Sequence, residues 1–163
     1  MKIIGAMRTL PDGRGAVRVE DVFDTEIDDL WQACTQPERL ARWIAEVSGN
    51  LLPGGEFSAR FTSGWEGTGQ VELCEPPHHL VVVTRGSGSS DEEVIEATLR
   101  TDGRRTTLII EERGLPADRL PEYGAGWQVH MEDLGTHLAG RDRCDIGTRW
   151  AELLPIYQRQ EVG

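Results

Sequence analysis

Residues 121–139 read PEYGAGWQVHMEDLGTHLA, and this segment decides the fold because it is the one long helix that the sequence predicts. Large, mostly apolar side chains recur along it at spacings of three and four, as in an amphipathic helix: Tyr123, Trp127, Met131, Leu134 and Leu138. At about 1.5 Å per residue, such a helix would be roughly 28 Å long, enough to cross a whole sheet. Gly140 follows directly and is expected to end it.

The chain upstream of this helix predicts strands joined by short turns. Strand-like apolar runs or alternation occupy residues 56–61, 67–75, 79–85, 93–101 and 106–112. The connections between them are short, and Asp102-Gly103 is a strong hairpin dipeptide. Parallel neighbours would need long crossovers, so we expect an antiparallel meander. A first strand over 16–23 and a further short one over 47–52 bring the predicted sheet to six to seven strands.

Two short helices are predicted between the first strand and the meander. The first has apolar residues at helical spacing from Ile27 to Cys34, with Thr25 as its expected N-cap. The second has Thr35 as its expected N-cap and Pro37 in its first turn, where proline is tolerated. We therefore predict an α+β domain in which a curved antiparallel sheet surrounds the long C-terminal helix.

Composition narrows the classes of partner. The chain has 163 residues and a net charge of −11, from 28 acidic and 17 basic side chains, which disfavours nucleic acid and anionic membrane surfaces. Cys34, Cys74 and Cys144 form no Cys-x-x-Cys pair, so we expect neither a disulfide framework nor a bound metal, and no cofactor motif is present. No signal peptide and no membrane span are predicted, which indicates the cytoplasm.

The last residues, 145–163, are predicted to extend a domain formed by residues 1–144. Trp150, Leu153, Leu154 and Tyr157 indicate a short helix despite Pro155. Its aromatic side chains must pack on something. Two alternatives stay open: the helix packs on its own domain, or it contacts a partner subunit in a homodimer.

Several short motifs carry a resemblance to a known family. In chain order they are VFD at 22–24, LW at 30–31, PERLARW at 37–43, GGEF at 54–57, GTG at 67–69, ERGLP at 112–116 and YGAGWQVHMEDL at 123–134. The chain resembles the SRPBCC superfamily, which has the helix-grip fold of START domains and the birch pollen allergen. Within it, the chain is most similar to proteins labelled activator of heat-shock protein 90 ATPase-like.

The resemblance implies a cavity between the sheet and the long helix for a small apolar molecule. Periodicity alone does not, because a filled core gives the same apolar pattern. The residues expected to line the cavity are Trp43, Phe57, Phe61, Leu108, Ile110, Glu112, Tyr123, Trp127, His130, Met131 and Leu134.

Three functional hypotheses follow. The first, binding of a small hydrophobic or aromatic ligand, is preferred because it requires least of the residues. The second is an enzyme of the cyclase or hydrolase type, in which Glu112 and His130 form a candidate acid–base pair. The third is a protein-interaction domain, either a chaperone cofactor or an oligomer whose contacts would use Trp150 and Tyr157.

Overall fold

The computed structural model describes residues 1–163. The eight strands are β1 Gly5–Thr9, β2 Gly15–Phe23, β3 Ala45–Gly49, β4 Glu56–Phe61, β5 Glu66–Glu75, β6 His79–Gly86, β7 Glu92–Asp102 and β8 Arg105–Leu115. The four helices are α1 Ile27–Thr35, α2 Pro37–Trp43, α3 Leu120–Leu138 and α4 Ile146–Arg159, with a single 3-10 turn at Ala117–Arg119.

All eight strands form one antiparallel sheet in the order β1-β2-β8-β7-β6-β5-β4-β3. Strands β3 to β8 are a continuous meander, and β2 adds to it through pairing with β8. The long helix α3 packs across this sheet, and α1 and α2 lie between β2 and β3 in the chain. The α+β helix-grip fold is thereby confirmed.

The sheet has one strand more than the six to seven predicted. The additional strand is β1, which the weak apolar run of the N-terminus did not indicate. Long-range pairing holds it in place: Gly5 is opposite Val19 of β2, and Gly163 at the C-terminus exchanges backbone hydrogen bonds with Met7 and Thr9. Edge pairing of this kind leaves little local signal in the sequence.

The caps of the two short helices differ from the prediction. The Thr25 hydroxyl donates to Asp29 Oδ2 at 2.6 Å instead of capping the backbone of α1. Only Gln36 separates α1 from α2, so Thr35 remains the last residue of α1, and its hydroxyl donates back to the Trp31 carbonyl at 2.7 Å. The close succession of the two helices therefore takes Thr35 out of the capping position.

The C-terminal helix α4 packs along α3. Its N-cap is Asp145, whose side chain accepts a hydrogen bond from the Thr148 amide. Tyr157 is fully buried, and its hydroxyl donates to Gln128 of α3 at 2.6 Å. The two helices approach closely at Gly124, where an added Cβ would lie 2.7 Å from the Tyr157 ring. In this structure the apolar face of α4 is covered by its own chain.

Candidate ligand-binding site

Two adjoining compartments lie between the sheet and the helices. The outer one, about 530 Å³, opens between the strands, the start of α3 and the start of α4. The inner one, about 320 Å³, is bounded by the strands together with α1 and α2, and 19 of its 21 lining residues are hydrophobic. Both compartments are lined in part by the same four residues, Phe61, Thr84, Ile95 and Trp127, where the two spaces meet.

Glu112 is the buried acidic group of the outer compartment. It lies on β8, is only 9% exposed, and accepts a hydrogen bond on Oε1 from the indole Nε1 of Trp127 at 2.9 Å. Burial raises the pKa of Glu112 to about 7; the Trp127 hydrogen bond opposes this shift and the nearby Glu93 carboxylate adds to it. A carboxyl group with this pKa is present in both protonation states near neutral pH.

His130 lies one helical turn beyond Trp127 and is 3% exposed. Its Nε2 is 3.3 Å from the Ser63 hydroxyl, whereas Nδ1 is buried with no hydrogen-bond partner. Burial lowers the pKa of His130 to about 4, and the nearby Trp43 carbonyl opposes this only in part. The imidazole is therefore neutral around pH 7.

Glu112 and His130 share the outer compartment, but no hydrogen bond joins them. Trp127 contacts both: it donates to Glu112, and its ring meets the His130 ring edge to face at 5.7 Å between centroids. The pKa shifts of the two groups arise mainly from burial, and neither group shifts the other. The candidate pair therefore consists of two buried groups that each contact the Trp127 indole and make no hydrogen bond with each other.

Aromatic rings form much of the wall around these groups. Phe61 packs edge to face on Trp65 at 5.1 Å, on Trp127 at 6.5 Å and on His130 at 5.7 Å between ring centroids. Tyr123 and Trp150 complete the aromatic lining of the outer compartment. Such mutual contacts fix the rings in place, so the walls are largely preformed.

The structure divides the residues that were expected to line one cavity. Glu112, Tyr123 and His130 line the outer compartment, Trp43, Phe57 and Ile110 line the inner one, and Phe61 and Trp127 line both. Leu108, Met131 and Leu134 line neither and belong to the continuous hydrophobic core. They are almost completely buried, so at these positions α3 and the sheet meet without a gap.

Sequence reasoning missed several residues at the rim. Trp65 lies in the turn between β4 and β5, where an isolated tryptophan beside Gly64 was the available signal. Arg119 comes from the 3-10 turn, and Trp150 comes from α4 together with Ile146. Residues 145–163 therefore supply part of the wall, which their sequence alone did not indicate.

The structure contains neither a metal-binding cluster nor a membrane-spanning helix. No group of three or more His, Cys, Asp or Glu side chains could hold a metal ion. No helix has the length and apolar character needed to cross a membrane.

Comparisons with known proteins agree with this architecture. Residues 24–139 match the family model described as activator of Hsp90 ATPase homolog 1-like protein. The crystal structure of CalU16 from Micromonospora echinospora is similar with a TM-score of 0.76 at 27% identity, over 94% of this chain and 93% of that one. MLL2253 from Mesorhizobium loti is similar with a TM-score of 0.68 at 25% identity, over 78% and 98% of the two chains.

DynU16, a protein of the dynemicin biosynthetic locus, is also similar, with a TM-score of 0.72 at 26% identity. The match covers 78% of this chain and 49% of DynU16, so this chain spans about half of that protein. No protein with a curated description matches the sequence. Since the family model covers most of the chain in the order of the observed elements, the chain belongs to the activator of Hsp90 ATPase homolog 1-like family, with the SRPBCC helix-grip fold.

Proposed function

We propose that the protein binds a small, largely apolar molecule whose body lies in the inner compartment and whose polar end lies in the outer one. The observation that carries this proposal is the inner compartment, an unfilled space of about 320 Å³ with an almost wholly hydrophobic lining. Well-packed cores leave few voids larger than a water molecule, so a gap of this size needs an explanation.

The arrangement of polar groups supports the same proposal. Small-molecule pockets typically have volumes of roughly 300–1,000 Å³ and apolar walls with a few polar groups that fix orientation. Here the polar groups converge at one end, where Glu112, His130 and Ser63 line the outer compartment. The likeness to DynU16 of the dynemicin biosynthetic locus supports a product of a biosynthetic pathway as the ligand class.

The test is native mass spectrometry of protein purified without denaturant, together with titration by Nile red, a neutral dye that fluoresces in apolar surroundings. We expect the native protein to carry the additional mass of a small ligand that is lost on denaturation. If the purified protein is free of ligand, we expect it to bind the dye saturably. Ala97→Phe fills the inner compartment and should weaken dye binding, because Ala97 lines it. Ala6→Phe adds the same ring at an exposed position on β1 and should leave binding unchanged. Equal binding by both variants would contradict the proposal.

An enzyme of the cyclase or hydrolase type is the second candidate, and one observation favours it. Glu112, with its pKa raised to about 7 inside a cavity, has the property expected of a general acid or base. His130 is neutral and would serve as a hydrogen-bonding partner, not as a charged acid. For a substrate that the protein turns over, Glu112→Gln should abolish turnover while binding persists, and full activity of this variant would remove Glu112 from the mechanism.

We propose that α4 serves as a wall of the outer compartment, in place of the homodimer contact considered above. In support, Tyr157 is buried against α3, and the Trp150 indole donates to the Glu122 carbonyl at 3.1 Å. Sedimentation of the full chain over a wide concentration range should give a monomer; a concentration-dependent dimer would favour the alternative. The chaperone-cofactor hypothesis stays a prediction.

We also propose that this binding takes place in the cytoplasm. All three cysteines are free thiols, which supports a reducing compartment.

A further inference from the structure

We infer that the ligand carries a basic nitrogen, a protonated amine or a quaternary ammonium group, which the outer compartment holds between Glu112 and the surrounding aromatic rings. This inference rests on the proposed function and adds the chemical class of the ligand's polar end. It comes from the balance of charge in and around the compartment and from the arrangement of its rings.

Two carboxyl groups are diagonal neighbours on the inward face of the sheet, and the cation that acts on one of them, Arg14 near Glu93, is paired with Asp91. Ile95 on β7 pairs with Glu112 on β8, so Glu93, two residues before Ile95, is a diagonal neighbour of Glu112 on the same face. Neither carboxyl forms a salt bridge, in contrast to Glu96 and Glu111 on the opposite face. Glu93 Oε2 is buried with no hydrogen-bond partner. A buried carboxylate is costly without a partner, and a bound cation would supply one.

The cation that lines the compartment is already neutralised. The Arg119 guanidinium lies 2.7 Å from the Glu122 carboxylate, and it is positioned over the Tyr123 ring at 5.9 Å from the ring centroid. Arg119 thus shows that a ring of this wall accepts a cation on its face. It does not compensate Glu112, because its charge is matched by Glu122.

The aromatic rings suit an organic cation. Trp65, Trp127, Tyr123 and Trp150 line the compartment around Glu112. Tryptophan and tyrosine faces attract ammonium groups, and the attraction increases when the site excludes water. Aromatic rings of this kind recognise ammonium ligands, and a carboxylate beside them attracts a cation and repels an anion.

His130 adds a neutral hydrogen-bonding group. Its ring lines the same compartment, where Nε2 lies 3.3 Å from the Ser63 hydroxyl. Because its pKa is lowered to about 4, His130 stays uncharged and does not compete with a ligand cation for Glu112.

The experiment compares three probes with the same apolar body: naphthylethylamine, naphthylethanol and naphthylacetate. Binding to the full chain is followed by calorimetry at a pH of about 8, where most of Glu112 is ionised. We expect the amine to bind at least roughly tenfold more tightly than the alcohol, as for a charge-assisted hydrogen bond, and the acid to bind most weakly.

The pH dependence gives a second readout that does not need a variant. Glu112 must lose its proton to hold a cation, so the amine should bind about tenfold more weakly at a pH of about 6 than at about 8, while the alcohol changes little. The charged and titratable groups around Glu112 on all packed elements are Glu93 of β7, Tyr123 and His130 of α3, and Arg119, Glu122 and Arg14 farther out. Of these, Glu93 has its pKa raised by burial and titrates in the same direction as Glu112.

Glu112→Gln keeps an oxygen acceptor for Trp127 and should remove both the preference for the amine and its pH dependence. Glu72→Gln changes the same charge at an exposed position on β5 that makes no salt bridge, and should bind like the wild type. Trp65→Leu, at the rim, should weaken binding of the amine more than binding of the alcohol. Equal binding of amine and alcohol by the wild type would overturn this inference and leave the proposed function standing. No binding of any probe would overturn both.

Discussion

Replacement of Glu112 by glutamine tests whether this carboxyl group is buried without a cationic partner in the ligand-free protein. Glutamine has nearly the same shape and keeps the oxygen that accepts the Trp127 hydrogen bond. Glutamine cannot ionise. In the variant, residue 112 therefore no longer makes the stability of the protein depend on pH. The prediction concerns the difference in unfolding free energy between variant and wild type, measured as a function of pH.

The sign and size follow from the pKa of Glu112. Burial raises this pKa from 4.5 to about 7, so between these values the folded state keeps a proton that the unfolded state has released. Each pH unit in that window costs the wild type about 1.4 kcal/mol of stability, or about 3 kcal/mol in all. The stabilisation that comes from the proton on Glu112 is fully present below pH 4.5 and is lost as the pH rises through 7. The glutamine variant does not lose it.

Urea denaturation followed by tryptophan fluorescence measures this difference. From a pH of about 4.5 to about 8, Glu112→Gln should gain about 3 kcal/mol relative to the wild type, and the matched exposed variant Glu72→Gln should show no such trend. The difference between variants is needed because His130 has the opposite linkage: its lowered pKa makes folding less favourable as the pH falls below 6.5 toward about 4. A Glu112→Gln difference that stays constant within about 0.5 kcal/mol would refute the assignment of Glu112 as a desolvated carboxyl group.

Further predictions concern α3 and its contacts. Gly124→Ala should destabilise the protein by about 1–3 kcal/mol in urea denaturation, because its Cβ would lie 2.7 Å from the Tyr157 ring. Gly126→Ala should stabilise it by about 0.5–1 kcal/mol, since no atom lies within 4 Å of the added Cβ; the opposite order would contradict the observed helix contact. Tyr157→Phe should cost about 1–3 kcal/mol, because Gln128 loses a buried hydrogen-bond donor, and an unchanged midpoint would count against that bond. The imidazole NMR signals of His130 should not shift between a pH of about 8 and about 5.5, because its pKa lies near 4; a titration midpoint near 6.5 would show that the ring is solvated.

The order of secondary structure could be predicted from the sequence because its signals are local. Alternation in the segment that became β8 indicated a strand, and the spacing from Tyr123 to Leu138 indicated the long helix α3. Short hairpin connections required antiparallel neighbours. The sequence contained no comparable signal for β1, whose hydrogen bonds come from β2 and from Gly163 at the other end of the chain.

The candidate site was predicted less completely, because lining a cavity is a property of several distant segments at once. Trp127 and Met131 lie on the same stretch of helix and are both buried, yet only Trp127 faces the compartments. Trp65 and Trp150 reach the rim from a turn and from α4, and their neighbours in the sequence do not reveal this. The sequence offered Glu112 and His130 as a candidate pair, and only the structure showed that each contacts Trp127 and that no hydrogen bond joins them.

The sequence by itself thus determined the fold class, the antiparallel meander and the helix that crosses it, since hydrophobic period and turn residues act over a few neighbouring positions. Only the tertiary structure decided that Leu108 fills the core while Glu112, four residues later on the same strand, lines a cavity. It also decided the pKa of Glu112, because that pKa depends on burial beneath α3 and on the neighbouring strand. These properties arise from distances between segments far apart in the chain, and those distances exist only once the chain has folded.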